Sequence, residues 1–120
     1  MPETSPSGGG PTNRWNAMAK YHMSWKTRAN GSAQQNHDDG KALLAAFGKW
    51  QAPADQNWIQ FLNSLDGQGG FAVIETDNAA GLLAEVSKFS TWNEFTIVPV
   101  VDIGEGVTLG AAAAEFRESI

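Results

Sequence analysis

The sequence predicts an α+β domain with a four-stranded antiparallel sheet, and three observations carry that prediction. Residues 20–26 alternate, with Tyr21, Met23 and Trp25 on one side and His22 and Ser24 on the other, the two-residue period of a half-buried strand. Residues 57–65 and 71–76 are β-rich runs joined by an Asp-Gly turn, a strong local signal for a hairpin. Two helical stripes, Leu43, Leu44, Phe47 and Trp50 and then Ala79, Leu82, Leu83, Val86 and Phe89, flank that hairpin in the chain. The order is strand, helix, strand, strand, helix, strand, then a terminal helix. Short connections and right-handed crossovers fit that order to a ferredoxin-like βαββαβ sheet, strand order 4-1-3-2, with an added C-terminal helix.

Residues 1–18 hold three of the five prolines and a Gly triplet, with little to bury before Trp15. Such a composition does not offset the entropy of ordering, so it is expected to be a flexible arm. Trp15 is the exception and a candidate interface anchor. The folded domain is expected over 19–120.

The first strand spans Lys20 to Lys26, followed by a polar stretch to Gln35. Asp38 and Asp39 are expected in the first turn of helix one, where the helix dipole favours negative charge, and Pro53 with its neighbours ends that helix. In the hairpin, Asp66-Gly67 and the two later glycines read as turn geometry with access to positive φ. Asp77 or Asn78 caps the second helix, which Gly81 weakens only modestly. Pro99 cannot donate to a ladder, so the run 94–101 is expected at an edge or a bulge. Asp102 followed by Glu105 resembles a capping box for the last helix.

The composition narrows the function classes. The 120 residues carry a net charge of −5, 42% apolar residues and no cysteine, which fits one domain with a single core. Eight scattered Lys and Arg against thirteen Asp and Glu give no footprint for a phosphate backbone, so no nucleic acid is expected as partner. Thiol nucleophiles, disulfides and Cys-based metal sites are excluded. No apolar stretch approaches the roughly 18 residues of a membrane span, and the N-terminus lacks the layout of a secretory signal. A cytoplasmic protein with no membrane contact is expected.

Both helices cover one sheet face. The other is left without cover, although FAVI and FTIVPVV are too apolar to face water readily. A second copy is the natural lid, pairing two sheets as a dimeric α+β barrel.

The segments KYHMSW at 20–25, LLAAFGKWQAP at 43–53, DGQGGFAVIETDN at 66–78 and FTIVPVVDI at 95–103 resemble a family of small bacterial proteins, frequent in actinobacteria, catalogued as a domain of unknown function. The resemblance covers about residues 19 to 118. It implies the dimeric α+β barrel fold and brings no catalytic residues with it. The wider superfamily of such barrels holds cofactor-free monooxygenases, haem-degrading enzymes, lactone isomerases and stress-induced proteins, and fold alone does not choose among them.

Glu75 follows the apolar run Phe71 to Ile74 on a strand expected to be central, where a carboxylate needs a partner. Strand three runs beside strand one, which makes His22 its expected partner. Such a pair could act as general base, with the carboxylate fixing the imidazole tautomer, or serve as a structural hydrogen bond. Trp58 and Gln60 are read on the open face of strand two, opposite Ile59, Phe61 and Leu65, as candidates for a ligand pocket or a subunit contact, with Tyr21 as a further ligand-positioning group. No metal site is expected: His37, Asp38 and Asp39 splay round a helix, and only two histidines exist. The GQGG segment lies in a hairpin, and no phosphate loop or nucleophile elbow is present.

Two function classes follow. The first is a homodimeric barrel that needs no cofactor and binds a small apolar or aromatic molecule, with monooxygenation or isomerisation as reactions that would suit it, His22 and Glu75 as catalytic residues and Tyr21, Trp58 and Gln60 as ligand contacts. The second is a non-enzymatic assembly or accessory protein using the sheet face and the N-terminal arm to bind other subunits or a larger partner.

Overall fold

The computed structural model describes residues 18–29 and 31–120; residues 1–17 of the expected arm, Trp15 among them, lie outside the described residues. In chain order the elements are β1 (Ala19–Thr27), α1 (Ala33–Gly48), β2 (Asn57–Asn63), β3 (Gly69–Thr76), α2 (Ala79–Ser87), β4 (Asn93–Val100) and α3 (Ile103–Glu118). The four strands form one antiparallel sheet in the order β2-β3-β1-β4, which is the ferredoxin-like arrangement with an added terminal helix. Pro99 falls on β4, an edge strand, where a missing N–H costs no central ladder bond.

Register sorts the side chains onto two faces. Tyr21 lies opposite Ile74 and Pro99, Met23 opposite Ala72 and Ile97, and Trp25 opposite Gly70 and Phe95. This face meets α2, and Met23, Ala72, Ile74, Leu82 and Val86 make the buried core. The other face carries Lys20, His22 and Ser24 of β1, Phe71, Val73 and Glu75 of β3, and Val98 and Thr96 of β4. Among the described residues no helix lies over it, and Val98 is 44% exposed.

Several local expectations are corrected. Helix α1 starts at Ala33, because the Ser32 hydroxyl accepts a hydrogen bond from the Gln35 N–H and caps it earlier than the apolar stripe suggests. Asp38 and Asp39 therefore sit in the second turn, accepting from the Gln34 and Gln35 side-chain amides one turn back. The expected capping box at Asp102 does not form: Asp102 makes no cap hydrogen bond, and its Oδ1 is taken by Lys20 Nζ at 2.6 Å. In the hairpin only Gly67 has positive φ, at 73°, while Gly69 and Gly70 belong to β3. A Cβ on Gly70 would lie 2.2 Å from the Leu62 carbonyl oxygen and 2.6 Å from the Trp25 ring, so glycine is there for close packing of the indole on the strand.

Asn78 caps α2, its Oδ1 accepting from the Gly81 N–H at 3.2 Å. Helix α3 stands almost uncovered, with Ile103, Val107, Leu109 and Phe116 all exposed. Among the described residues no helix is long and apolar enough to cross a membrane.

Candidate functional site

A β-bulge decides where the site lies. Trp58 is opposite Ile74, but Gln60 is opposite Val73 and Phe61 opposite Ala72, so the register slips by one at Ile59. One extra residue in a strand reverses the facing of everything beyond it. Trp58 and Phe61, expected on opposite faces from strict alternation, therefore both point to the helix side, where Ile74 and Ala72 lie. The placement of Trp58 on the open face is corrected accordingly, and Gln60 keeps its place there.

On the helix side the bulge assembles a continuous aromatic wall. Trp58 and Phe61 have ring centroids 4.8 Å apart, Trp50 meets Trp58 edge-on at 5.1 Å, and Trp25 meets Phe61 at 5.5 Å. Phe47 bridges from α1, 5.7 Å from Phe61 and 5.9 Å from Trp50. Helix α1 buries none of its residues completely, and between it, α2 and the sheet lies a cleft of about 350 Å³. That volume is within the range of small-molecule sites.

Two polar groups in this apolar cleft are almost wholly buried. Glu85 of α2 is 8% exposed and Asn93, at the start of β4, 5% exposed, and both line the cleft. Glu85 Oε1 accepts from Trp50 Nε1 at 2.9 Å and from Lys88 Nζ at 2.9 Å. Burial pushes this carboxyl up, but the hydrogen bonds from Lys88 and Trp50, with the ammonium charge, outweigh burial and hold it below the ordinary carboxylate value. Glu85 is thus an ionised group in an aromatic cleft. The buried Oδ1 of Asn93 has no hydrogen-bond partner among the described residues. The indole N–H of Trp58 is already used, donating to Gln56 Oε1 at 3.0 Å.

The residues singled out in the sequence divide between the faces. Tyr21 packs against the core on the helix side but does not line the cleft, whereas Trp58 does. His22 and Glu75 share the open face but are not opposite one another: His22 lies across from Val73, and Glu75 from Lys20. The expected His22–Glu75 hydrogen bond is replaced by other contacts. The His22 imidazole stacks on Phe71 at 5.3 Å, and Glu75 Oε1 accepts from Asn57 Nδ2 at 3.0 Å. The diagonal offset of two residues lets these nearer partners win.

Glu85 and Asn93 escaped the sequence reading although both left a signal. Glu85 lies three residues after Leu82 and four before Phe89, an acid inside the apolar stripe of α2. Asn93 continues the inward alternation of Phe95 and Ile97.

A family model matches residues 19–114, and the family it represents is described as a domain of unknown function, DUF3303. No curated protein and no solved structure matches the chain.

Proposed function

We propose a binding function for this chain, which belongs to the DUF3303 family: it takes up a small, largely apolar aromatic molecule in the cleft between α1 and the sheet. The observation that supports this reading is the aromatic wall of Trp25, Phe47, Trp50, Trp58 and Phe61 around about 350 Å³ of open space. An open cleft walled by aromatic rings leaves apolar surface in contact with water, a cost that an apolar ligand would relieve by covering it. Aromatic walls add edge-to-face contacts to simple burial. Calorimetric titration with naphthalene tests it. The wild-type chain is expected to bind one molecule per chain, and Leu43→Trp, which puts an indole into the cleft, is expected to abolish binding while keeping the melting temperature. Equal binding by both proteins would remove the cleft from the function.

The same reading includes a homodimer, supported by two surfaces, the open sheet face and α3, that carry exposed apolar side chains and lie uncovered among the described residues. Four strands about 4.8 Å apart and about eight residues long, at about 3.3 Å each, present roughly 500 Å². This falls short of the ~800 Å² per partner of a standard interface. Helix α3, at about 1.5 Å per residue and ~10 Å across, adds roughly 240 Å². A second copy that covers both surfaces comes to roughly 740 Å² per partner, inside the range of about 600–1,000 Å² for standard interfaces, which the sheet alone does not reach. Charges at the sheet ends are balanced, Lys20 opposite Glu75 and Lys26 opposite Glu94, so the face can meet its own copy without like-charge repulsion throughout. In that dimer His22 and Glu75 face the space between the two sheets, and any proton transfer by them would occur there, away from the cleft. Sedimentation velocity at micromolar concentration should give twice the chain mass, and the chain mass for Val98→Arg. A wild-type monomer would overturn the dimer and leave the cleft untouched.

A further inference from the structure

The polar atoms of the cleft point to the chemistry of its ligand, given that the cleft binds an aromatic molecule as proposed above. Its two buried polar side chains offer acceptors. Glu85 is nine-tenths buried, and both of its hydrogen bonds fall on Oε1, from Trp50 and Lys88. Asn93, 5% exposed, brings an amide oxygen with no partner. The indole donors of the cleft are committed elsewhere, Trp50 Nε1 to Glu85 itself and Trp58 Nε1 to Gln56, and the unpartnered Nε2 of Gln56 belongs to a residue that does not line the cleft. An unpaired buried acceptor carries a desolvation penalty that a ligand donor removes and a ligand acceptor worsens.

We infer that the ligand is an aromatic molecule whose polar group donates a hydrogen bond, such as a phenol, an aniline or an indole, held by Glu85 with Asn93 beside it, and that aromatic carboxylates are rejected. The apolar part of such a molecule meets the rings of Trp58, Phe61 and Phe47, and its N–H or O–H meets the acceptor side of the cleft. A carboxylate would bring a second negative charge beside Glu85 among apolar walls, which raises the cost of either group being ionised. Lys88 offsets part of this charge, but its ammonium is spent on Glu85 Oε1 and does not line the cleft, so it is not free to meet a ligand carboxylate.

Three probes share one ring system and differ only in the polar end: 2-naphthol donates, 2-methoxynaphthalene keeps the oxygen without the donor, and 2-naphthoate is an anion. Calorimetry on the full chain should find 2-naphthol bound about tenfold more tightly than 2-methoxynaphthalene, the net value of a hydrogen bond to a charged or buried acceptor. 2-Naphthoate should bind at least tenfold more weakly than 2-naphthol. Glu85→Gln should bring 2-naphthoate to within about threefold of 2-methoxynaphthalene. Equal binding of 2-naphthol and 2-methoxynaphthalene, or 2-naphthoate as the tightest of the three, would overturn the inference while the cleft reading stands. Unchanged rejection of 2-naphthoate by a folded Glu85→Gln protein would overturn the role of Glu85. Absence of binding by all three would overturn the cleft reading, and this inference with it.

Discussion

Replacing Trp50 with Phe keeps an aromatic ring against Phe47 and Trp58 but removes the N–H that Glu85 Oε1 accepts at 2.9 Å. That bond ties the segment after α1 to α2. A hydrogen bond to a mostly buried carboxylate contributes about 1.5–3 kcal/mol. The lost half of the indole, about 40 Å² of apolar surface at about 25 cal/mol per Å², adds about 1 kcal/mol, somewhat less because Trp50 is only half-buried. Trp50→Phe is thus expected to destabilise the domain by about 2–4 kcal/mol. With a urea dependence of about 1–1.5 kcal/mol per M for a domain this small, the unfolding midpoint falls by about 2 M. The acid limb moves as well. Losing the indole donor removes one of the interactions that hold the Glu85 carboxyl down, so its folded-state value moves toward the unfolded one and the stability lost on acidification below about pH 4.5 should be smaller in the variant. A midpoint shift under about 0.4 M together with an unchanged acid limb would refute the tether.

Further outcomes follow from the same contacts. Because the Glu85 carboxyl is held below its ordinary value near 4.5, folding favours the ionised form; its stabilising contribution is complete above that value and lost as pH falls through the folded-state value, so wild-type stability should decline below about pH 4.5, and urea midpoints of Glu85→Gln should decline less over that window. Gly70→Ala, whose Cβ would lie 2.2 Å from a carbonyl oxygen and 2.6 Å from the Trp25 ring, should cost about 2–3 kcal/mol or more by the same unfolding assay, since backbone and indole must both give way. Deleting Ile59 should remove the bulge at β2 and reverse one side of it relative to the other, exposing either Trp58 or Phe61; a tryptophan emission maximum and melting temperature identical to wild type would contradict the bulge's role.

The sheet order was legible because each strand and helix announced itself by period, and because short connections leave few ways to join βαββαβ. The position of Pro99 at an edge was legible for the same kind of reason: a missing donor restricts where a residue can sit. The site was much less so. Alternation along NWIQFLN places Trp58 and Phe61 apart, and only the bulge at Ile59, which has no Gly or other local marker, brings them onto one wall. His22 and Glu75 share a face, but a two-residue diagonal offset is decided by which neighbours are nearer, here Phe71 and Asn57, and that depends on register. The capping box at Asp102 failed through Lys20, more than eighty positions earlier in the chain, a contact invisible to any local pattern. Glu85 was the recoverable miss, an acid within the apolar stripe of α2 that had to be either paired or exposed.

The cleft is tested most directly by following the indole N–H signals of the tryptophans by NMR while naphthalene is added. The account predicts saturable shifts for Trp50 and Trp58, with the Trp92 signal and the His22 ring on the far face of the sheet unmoved. Shifts confined to His22 and its neighbours, or no saturable shift at Trp50 and Trp58, would contradict it.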